Sequence, residues 1–244
     1  MWSVHQGTSP TRRGVVPRGT RDDDGTRRRR RAAGITDLTI RTPSCVGVLL
    51  AGGAARRFGG LPKGLALVDE VRIADRVLNA LRGATDSLLV VSNDARAPQW
   101  FPALPVVADS LPGLGPLAGI ETALRAAAGN SVVIVAWDMP FVTTPLLRGM
   151  RALGEIGPPA VVPVHGDPPV AESLCAFYSA DALPVCTALL AAGERRAGAL
   201  FEALADARSI PHHILAEHGE PEKLFFSVDG PDALDDIGGT MPRL

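Results

Sequence analysis

Cysteine is scarce in this chain, and long apolar runs are missing. The three cysteines, Cys45, Cys175 and Cys186, are odd in number and none has C-x-x-C spacing. That argues against a disulfide framework or a thiolate zinc site and fits a reducing, cytoplasmic setting. No apolar run approaches the ~20 residues that span a bilayer, so no membrane partner is expected. No apolar segment follows the N-terminal arginines, as a secretion signal would require. Two phosphate-binding signatures are also missing. A P-loop needs Gly-Lys-Ser/Thr, but Lys63 stands between Pro62 and Gly64. The dinucleotide pattern G-x-G-x-x-G fails because Gly52 and Gly53 are adjacent and the next glycine is Gly59.

What is present suits one sizeable α/β domain. The chain has 244 residues, of which 46% are hydrophobic. Its net charge of −1 hides an asymmetry. Residues 1–44 carry ten arginines and four aspartates, a charge of +6; the remainder carries 15 basic and 22 acidic residues, a charge of −7. Residues 1–44 lack periodicity and include the run Arg27 to Arg31, the composition of a disordered tail. Such a run attracts RNA or acidic surfaces, but a solvated tail or an over-extended start is the expected reading, and nucleic acid is not the expected partner. Residues 45–244 are expected to form the domain.

From Cys45 onward, short apolar runs alternate with helical patterns. Val46 to Ala51, Ser87 to Ser92, Pro105 to Ala108, Val132 to Ala136, Ala160 to Val164, Leu174 to Tyr178 and Phe225 to Val228 read as strands. Helices are expected over Arg72 to Arg82, Pro116 to Ala128, Asp181 to Ala192, Ala197 to Ala207 and Pro231 to Ile237. Another is expected to open at Thr143 or Thr144 with Pro145 in its first turn. The alternation predicts a single Rossmann-like domain, a mainly parallel sheet with helices on both faces. The VVIVA strand, the most apolar, is expected near the centre. Ligands in such sheets bind beyond the carboxyl ends of the strands, which predicts one rim built from the loops after Ala51, Ser92, Ala108, Ala136 and Val228.

The most informative segment is Val46 to Gly64, VGVLLAGGAARRFGGLPKG. A buried strand stops at two glycines, and Arg56, Arg57, a second glycine pair and Lys63 follow. Glycine lets a backbone approach a bound group closely. Free N–H groups beside three cations suit a polyphosphate. Asp138 directly follows VVIVA and Trp137, where a carboxylate is placed to hold a divalent metal. Asp229, in FFSVDGP, is either a second metal ligand or a turn residue. Asp109 opens a glycine-rich approach to the helix near Leu117, whose N–H groups point at the same rim.

The form L-A-G-G-x-x-x-R-x-G-G-x-x-K resembles the signature of nucleotidyltransferases. LAGGxARRxGGxxKGL is most similar to molybdenum cofactor guanylyltransferases of the MobA type. Four further segments carry the likeness: Asp109 to Gly119 is similar to D-x-x-x-x-x-G-P-L-A-G, WDMP to C-D-x-P, LLAAGERR to a segment beside the second substrate, and Glu172 to Tyr178 (ESLCAFY) to the strand next to it, with Ser173 where a proline is usual. FFSVDGP departs from F-x-N-V-N-T-P, with Ser227 and Asp229 at the two asparagine positions, and Phe58 replaces a methionine. The resemblance implies a nucleotide-diphospho-sugar transferase-like fold and transfer of GMP from GTP to molybdopterin, with release of pyrophosphate. It implies a nucleotide site of Leu50, Ala51, Gly52, Gly53, Lys63, Asn93, Asp109 and Asp138. Mg²⁺ would sit on Asp138, with Asp229 as a second ligand. Arg57, Lys63 and Asp138 would carry catalysis, and Arg195 and Arg196 would bind the pterin phosphate. Transient contacts with cofactor-biosynthesis proteins or molybdoenzymes are the implied protein partners. The same fold also serves cytidylyl transfer to this pterin and sugar- or alcohol-phosphate nucleotidyl transfer. A non-enzymatic nucleotide- or RNA-binding role is the reading from another class.

Overall fold

The computed structural model describes residues 44–52 and 62–242. The first strand, β1 (Cys45–Leu50), is followed by a 3-10 turn at Lys63–Leu65 and a small hairpin, β2 (Leu67–Val68) and β3 (Val71–Arg72). Next come α1 (Ile73–Arg82), β4 (Ser87–Val91), α2 (Ala97–Trp100), β5 (Val106–Val107), α3 (Pro116–Ala126) and β6 (Ser131–Ala136). The chain continues through α4 (Thr144–Gly154), β7 (Ala160–His165), β8 (Val170–Ala171), β9 (Cys175–Tyr178), α5 (Ala182–Ala191) and α6 (Gly198–Ala203). It closes with β10 (Arg208–Ile210), α7 (His212–Leu215), α8 (Pro221–Leu224) and α9 (Pro231–Asp236).

The main sheet has the order β10-β7-β9-β6-β1-β4-β5, with β8 attached to β7. β6 takes the middle place, as its apolar run predicts. β1 pairs in parallel with β4 and β6, and β4 with β5. β9 is reversed, antiparallel to both β6 and β7, and the short β8 also pairs antiparallel with β7. The sheet is therefore mixed but mostly parallel, and helices cover both faces. Alternation along β1 divides its side chains between them. Leu49 packs with Val77, Leu81, Leu146 and Met150 from α1 and α4. Val48 packs with Leu117, Ile120, Cys186 and Leu200 from α3, α5 and α6. Helix starts follow local chemistry: the Thr143 hydroxyl accepts from Leu146 N at 3.5 Å, with Pro145 in the first turn of α4.

Two sequence expectations need correction. Phe225 to Val228 is not a strand. Its amides bond locally or to the rim, Phe226 N to Lys223 O at 3.2 Å and Val228 N to Asp138 O at 2.9 Å. Its apolar residues fill space beside the sheet, Val228 joining Ala66, Val68, Ile73 and Leu234 in a small separate core. The helix expected over Ala197 to Ala207 stops at Ala203. Asp206 then takes a left-handed conformation (φ 63°) that turns the chain into β10, an edge strand absent from the sequence reading.

Candidate active site

The carboxyl ends of β1, β4, β5 and β6 meet at one rim, around a cleft of about 1360 Å³. Leu50, Ala51 and Gly52 line it from β1, Ser92 and Asn93 from β4, Asp109 from β5, and Trp137 and Asp138 from β6. The rim is tied together by backbone bonds. Ala51 N donates to Val91 O at 2.8 Å, Trp137 N donates to Leu50 O at 3.2 Å, and the buried Ser92 hydroxyl donates to Ala51 O at 2.7 Å.

Lys63 and Asp138 form the centre. The Lys63 ammonium donates to Asp138 Oδ2, and to Asp229 Oδ1 at 3.2 Å. The Ser227 hydroxyl lies 3.0 Å from Asp138 Oδ2 and 3.2 Å from Asp229 Oδ1. Burial opposes the charge on Lys63, but Asp138 and then Asp229 outweigh it, so the ammonium is held above its ordinary range. Gly64 explains how Lys63 reaches this place. It packs against the Trp137 indole, and a Cβ there would run into the ring. The glycine after Lys63 and the tryptophan before Asp138 thus bring the two charges together.

Asp138 is 6% exposed, and its second oxygen, Oδ1, is buried without a hydrogen-bond partner. A buried carboxylate oxygen left unpaired carries a desolvation cost that a bound cation relieves. Two carboxylates and a hydroxyl make an all-oxygen set suited to a hard divalent ion that also takes phosphate oxygens. The residues fit such an ion, with Asp138 as its buried ligand and the largely exposed Asp229 as the outer one.

Farther along the rim, Asn93 and Asp109 hold one another. Asn93 Nδ2 donates to Asp109 Oδ2 at 2.7 Å, and Asp109 N donates to Asn93 Oδ1 at 2.8 Å. Burial raises the Asp109 carboxyl pKa, the Asn93 bond lowers it, and the charge of Glu121 raises it again; the net shift is upward. Gly115, at φ 78°, delivers the chain into α3 below this pair. A side chain there would be strained, and it would crowd the Arg195 carbonyl at 3.0 Å.

Residues 47–208 match the family model of the MobA-like NTP transferase domain. The chain belongs to the MobA-like NTP transferases. It is 35% identical over 169 residues to the probable molybdenum cofactor guanylyltransferase of Methanothermobacter thermautotrophicus, covering 66% of this chain and 84% of that one. It is 28% identical over 196 residues to the molybdenum cofactor guanylyltransferase of Vibrio cholerae, covering 80% and 92%. Among solved structures, molybdopterin-guanine dinucleotide biosynthesis protein A from Archaeoglobus fulgidus superposes with a TM-score of 0.66 at 26% identity, covering 79% of this chain and 96% of that one.

Within this MobA-like domain, the sequence-predicted site residues divide into three groups. Leu50, Ala51, Gly52, Lys63, Asn93, Asp109, Asp138 and Asp229 all line the cleft. Gly53 and Arg57, with Arg56, lie outside the described residues, as does the tail. Arg195 and Arg196 are not among the lining residues, although Ala197 and Gly198 are. The Arg195 guanidinium is bound to the carbonyls of Leu190 and Glu194, at 3.2 and 2.7 Å. Arg196 pairs with Glu194 at 3.0 Å. The peptide here serves α3 directly, because Leu117 N donates to Arg195 O at 3.3 Å. The cleft also contains Arg96, which the sequence reading did not assign to the site, and Glu172 and Ser173, to which it gave no role beyond the likeness of ESLCAFY to a strand on the second-substrate side. The three cysteines are buried free thiols; burial raises the Cys186 pKa to about 12, far from reactivity. No helix among the described residues is long and apolar enough to cross a membrane.

Proposed function

We propose that this MobA-like nucleotidyltransferase transfers GMP from GTP to the terminal phosphate of molybdopterin and releases pyrophosphate. The observation that carries the reading is the meeting of Lys63 with Asp138 at the end of the central strand, where one Asp138 oxygen remains unpaired. The names of the relatives from Methanothermobacter and Vibrio support the choice of guanylyl transfer. Residues 45–244 form the catalytic unit in this reading, and the cytoplasm is its compartment.

The pterin phosphate is an anion and needs no general base. Its oxygen bonds to the α-phosphorus while the bond to the bridging oxygen breaks, and the pyrophosphate departs. Mg²⁺ on Asp138 and Asp229 would supply charge neutralisation and alignment of the phosphates. Lys63 moves from the carboxylates to the phosphates and, with Arg57, stabilises the charge on the leaving group. The backbone from Leu50 to Gly53 cradles the nucleotide. Asp109, oriented by Asn93, accepts from the N–H edge of guanine. Arg195 and Arg196 would reach a pterin phosphate only after leaving Glu194 and the α5 carbonyls. Transient docking to cofactor-biosynthesis proteins or molybdoenzymes would pass the product on.

The test is a pyrophosphate-release assay with Mg²⁺ and molybdopterin across the four NTPs. Guanine dinucleotide should form from GTP alone. Turnover with CTP instead would move the assignment to cytidylyl transfer, and release only with a sugar phosphate would remove the pterin substrate.

A further inference from the structure

The cleft holds a carboxylate that this mechanism leaves unused. Glu172 lies between β8 and β9 and lines the cleft. Because β9 runs opposite to its neighbours, its beginning lies at the rim where the parallel strands end. Ala136 N donates to Leu174 O at 2.8 Å, which fastens that beginning beside Asp138. In sheet order, β6 separates β9 from β4 and β5. Glu172 and Asp109 therefore flank Asp138 from opposite sides.

Both carboxylates are held by a neighbour. Asp109 has Asn93; Glu172 Oε1 accepts from His165 Nε2 at 2.8 Å. The His165 ring stacks on Phe225, a cleft residue, with 4.7 Å between centroids. The Glu172 backbone is fixed too, its N–H donating to Pro163 O at 2.9 Å and its carbonyl accepting from Cys175 N at 2.8 Å. Next to it, the Ser173 hydroxyl is buried, 4% exposed, and has no partner, although its residue lines the cleft. A held carboxylate beside a buried hydroxyl with no partner among the described residues is a polar surface suited to a ligand.

The two substrates share one feature. Guanine and the pterin each carry a 2-amino-4-oxopyrimidine ring, whose ring N–H and amino N–H lie parallel. One carboxylate accepts both bonds, as it does from a guanidinium fork. A dinucleotide product has one such edge at each end and a pyrophosphate between. The cleft has one held carboxylate on each side and a cation site between. We propose that Glu172 recognises the pterin head of the second substrate and that His165 acts as its positioning residue, an assignment that rests on the guanylyl-transfer reading.

The experiment titrates molybdopterin and, separately, GTP with Mg²⁺ into the full chain and into Glu172→Gln. The variant should bind molybdopterin about tenfold or more weakly, the loss expected of a charged acceptor, while its GTP affinity stays within about twofold. In steady state its KM for molybdopterin should rise with kcat little changed. His165→Leu should raise that KM by a smaller factor and add little to Glu172→Gln, because it acts through the same carboxylate. Equal molybdopterin binding by wild type and Glu172→Gln overturns the proposal alone, and so does a selective loss of GTP. A wild-type chain that binds no molybdopterin overturns it together with the reading beneath it.

Discussion

Gly64→Ala tests how the central charge pair is positioned. Gly64 is buried in the 3-10 turn after Pro62, and an added Cβ would lie 2.9 Å from Trp137 Cγ and closer still to two other ring carbons. The ring is poorly placed to yield. Trp137 is 4% exposed, stacks on Trp100, and its backbone N–H is tied to the Leu50 carbonyl. Overpacking of this kind costs about 1–3 kcal/mol. Alanine recovers about 0.5–1 kcal/mol of the backbone entropy that glycine loses in helical conformations. The net is a loss of about 1–2 kcal/mol, which for a domain of this size lowers Tm by about 3–6 °C. The larger effect should be on turnover. Displacing the turn moves Lys63 relative to Asp138, and misplacement by ~1 Å can cost about a hundredfold in rate. A thermal melt and a pyrophosphate-release assay with GTP measure the two effects. Trp137→Phe in the same chain makes room and should restore part of both, a non-additive result. If Gly64→Ala melts at the wild-type temperature with wild-type kcat/KM, contact with Trp137 does not set the lysine.

Three further outcomes are expected. Asp138→Asn should fold, with a stability loss of about 1 kcal/mol because Lys63 keeps Asp229, yet turnover should fall on the order of a hundredfold or more and Mn²⁺ binding should weaken; unchanged Mn²⁺ titration would move the metal elsewhere. Asp109→Asn should raise Tm at pH 7 while weakening GTP binding about tenfold. Burial holds the native Asp109 pKa above its ordinary carboxylate value, so the folded state binds its proton more tightly than the unfolded chain. Stability therefore falls as pH rises through that window, the variant escapes the loss, and the gap in Tm should close near pH 4. Glu194 is the opposite case: the amides of Arg196 and Arg195, then the Arg196 guanidinium, hold its carboxyl at about 2. The turn it braces should persist above the ordinary carboxylate range and loosen as pH falls towards 2, and Glu194→Gln should loosen it at neutral pH, read as faster hydrogen exchange at the Leu117 amide.

Local pattern reveals one half of this site and conceals the other. Each parallel strand from β1 to β6 ends in the residue that matters: Ala51 and Gly52 after β1, Asn93 after β4, Asp109 after β5, Asp138 after β6. An apolar run followed by a polar residue is visible in sequence, and parallel packing turns that order into place. The 3-10 turn is less visible, because the role of Gly64 depends on the Trp137 ring, 73 positions away. Phe225 to Val228 misleads for a related reason, since four mostly apolar residues read as a strand whether they join a sheet or cover its rim.

The resemblance sets ESLCAFY beside the second substrate, but a role for Glu172 itself is hidden by strand direction. The CAFY strand is legible as a strand, but nothing in its composition says that it runs backwards. Reversal places the residues before β9, rather than those after it, at the rim with Asp138. The rule that function follows the carboxyl ends of strands therefore finds the nucleotide side and passes over the opposite wall. Where one strand of a doubly covered sheet is reversed, the polar residue ahead of it should be read as a site residue too. Here that residue is Glu172, clasped by His165 from the neighbouring strand, and a KM for molybdopterin that tracks its charge would show the geometric reading to be right.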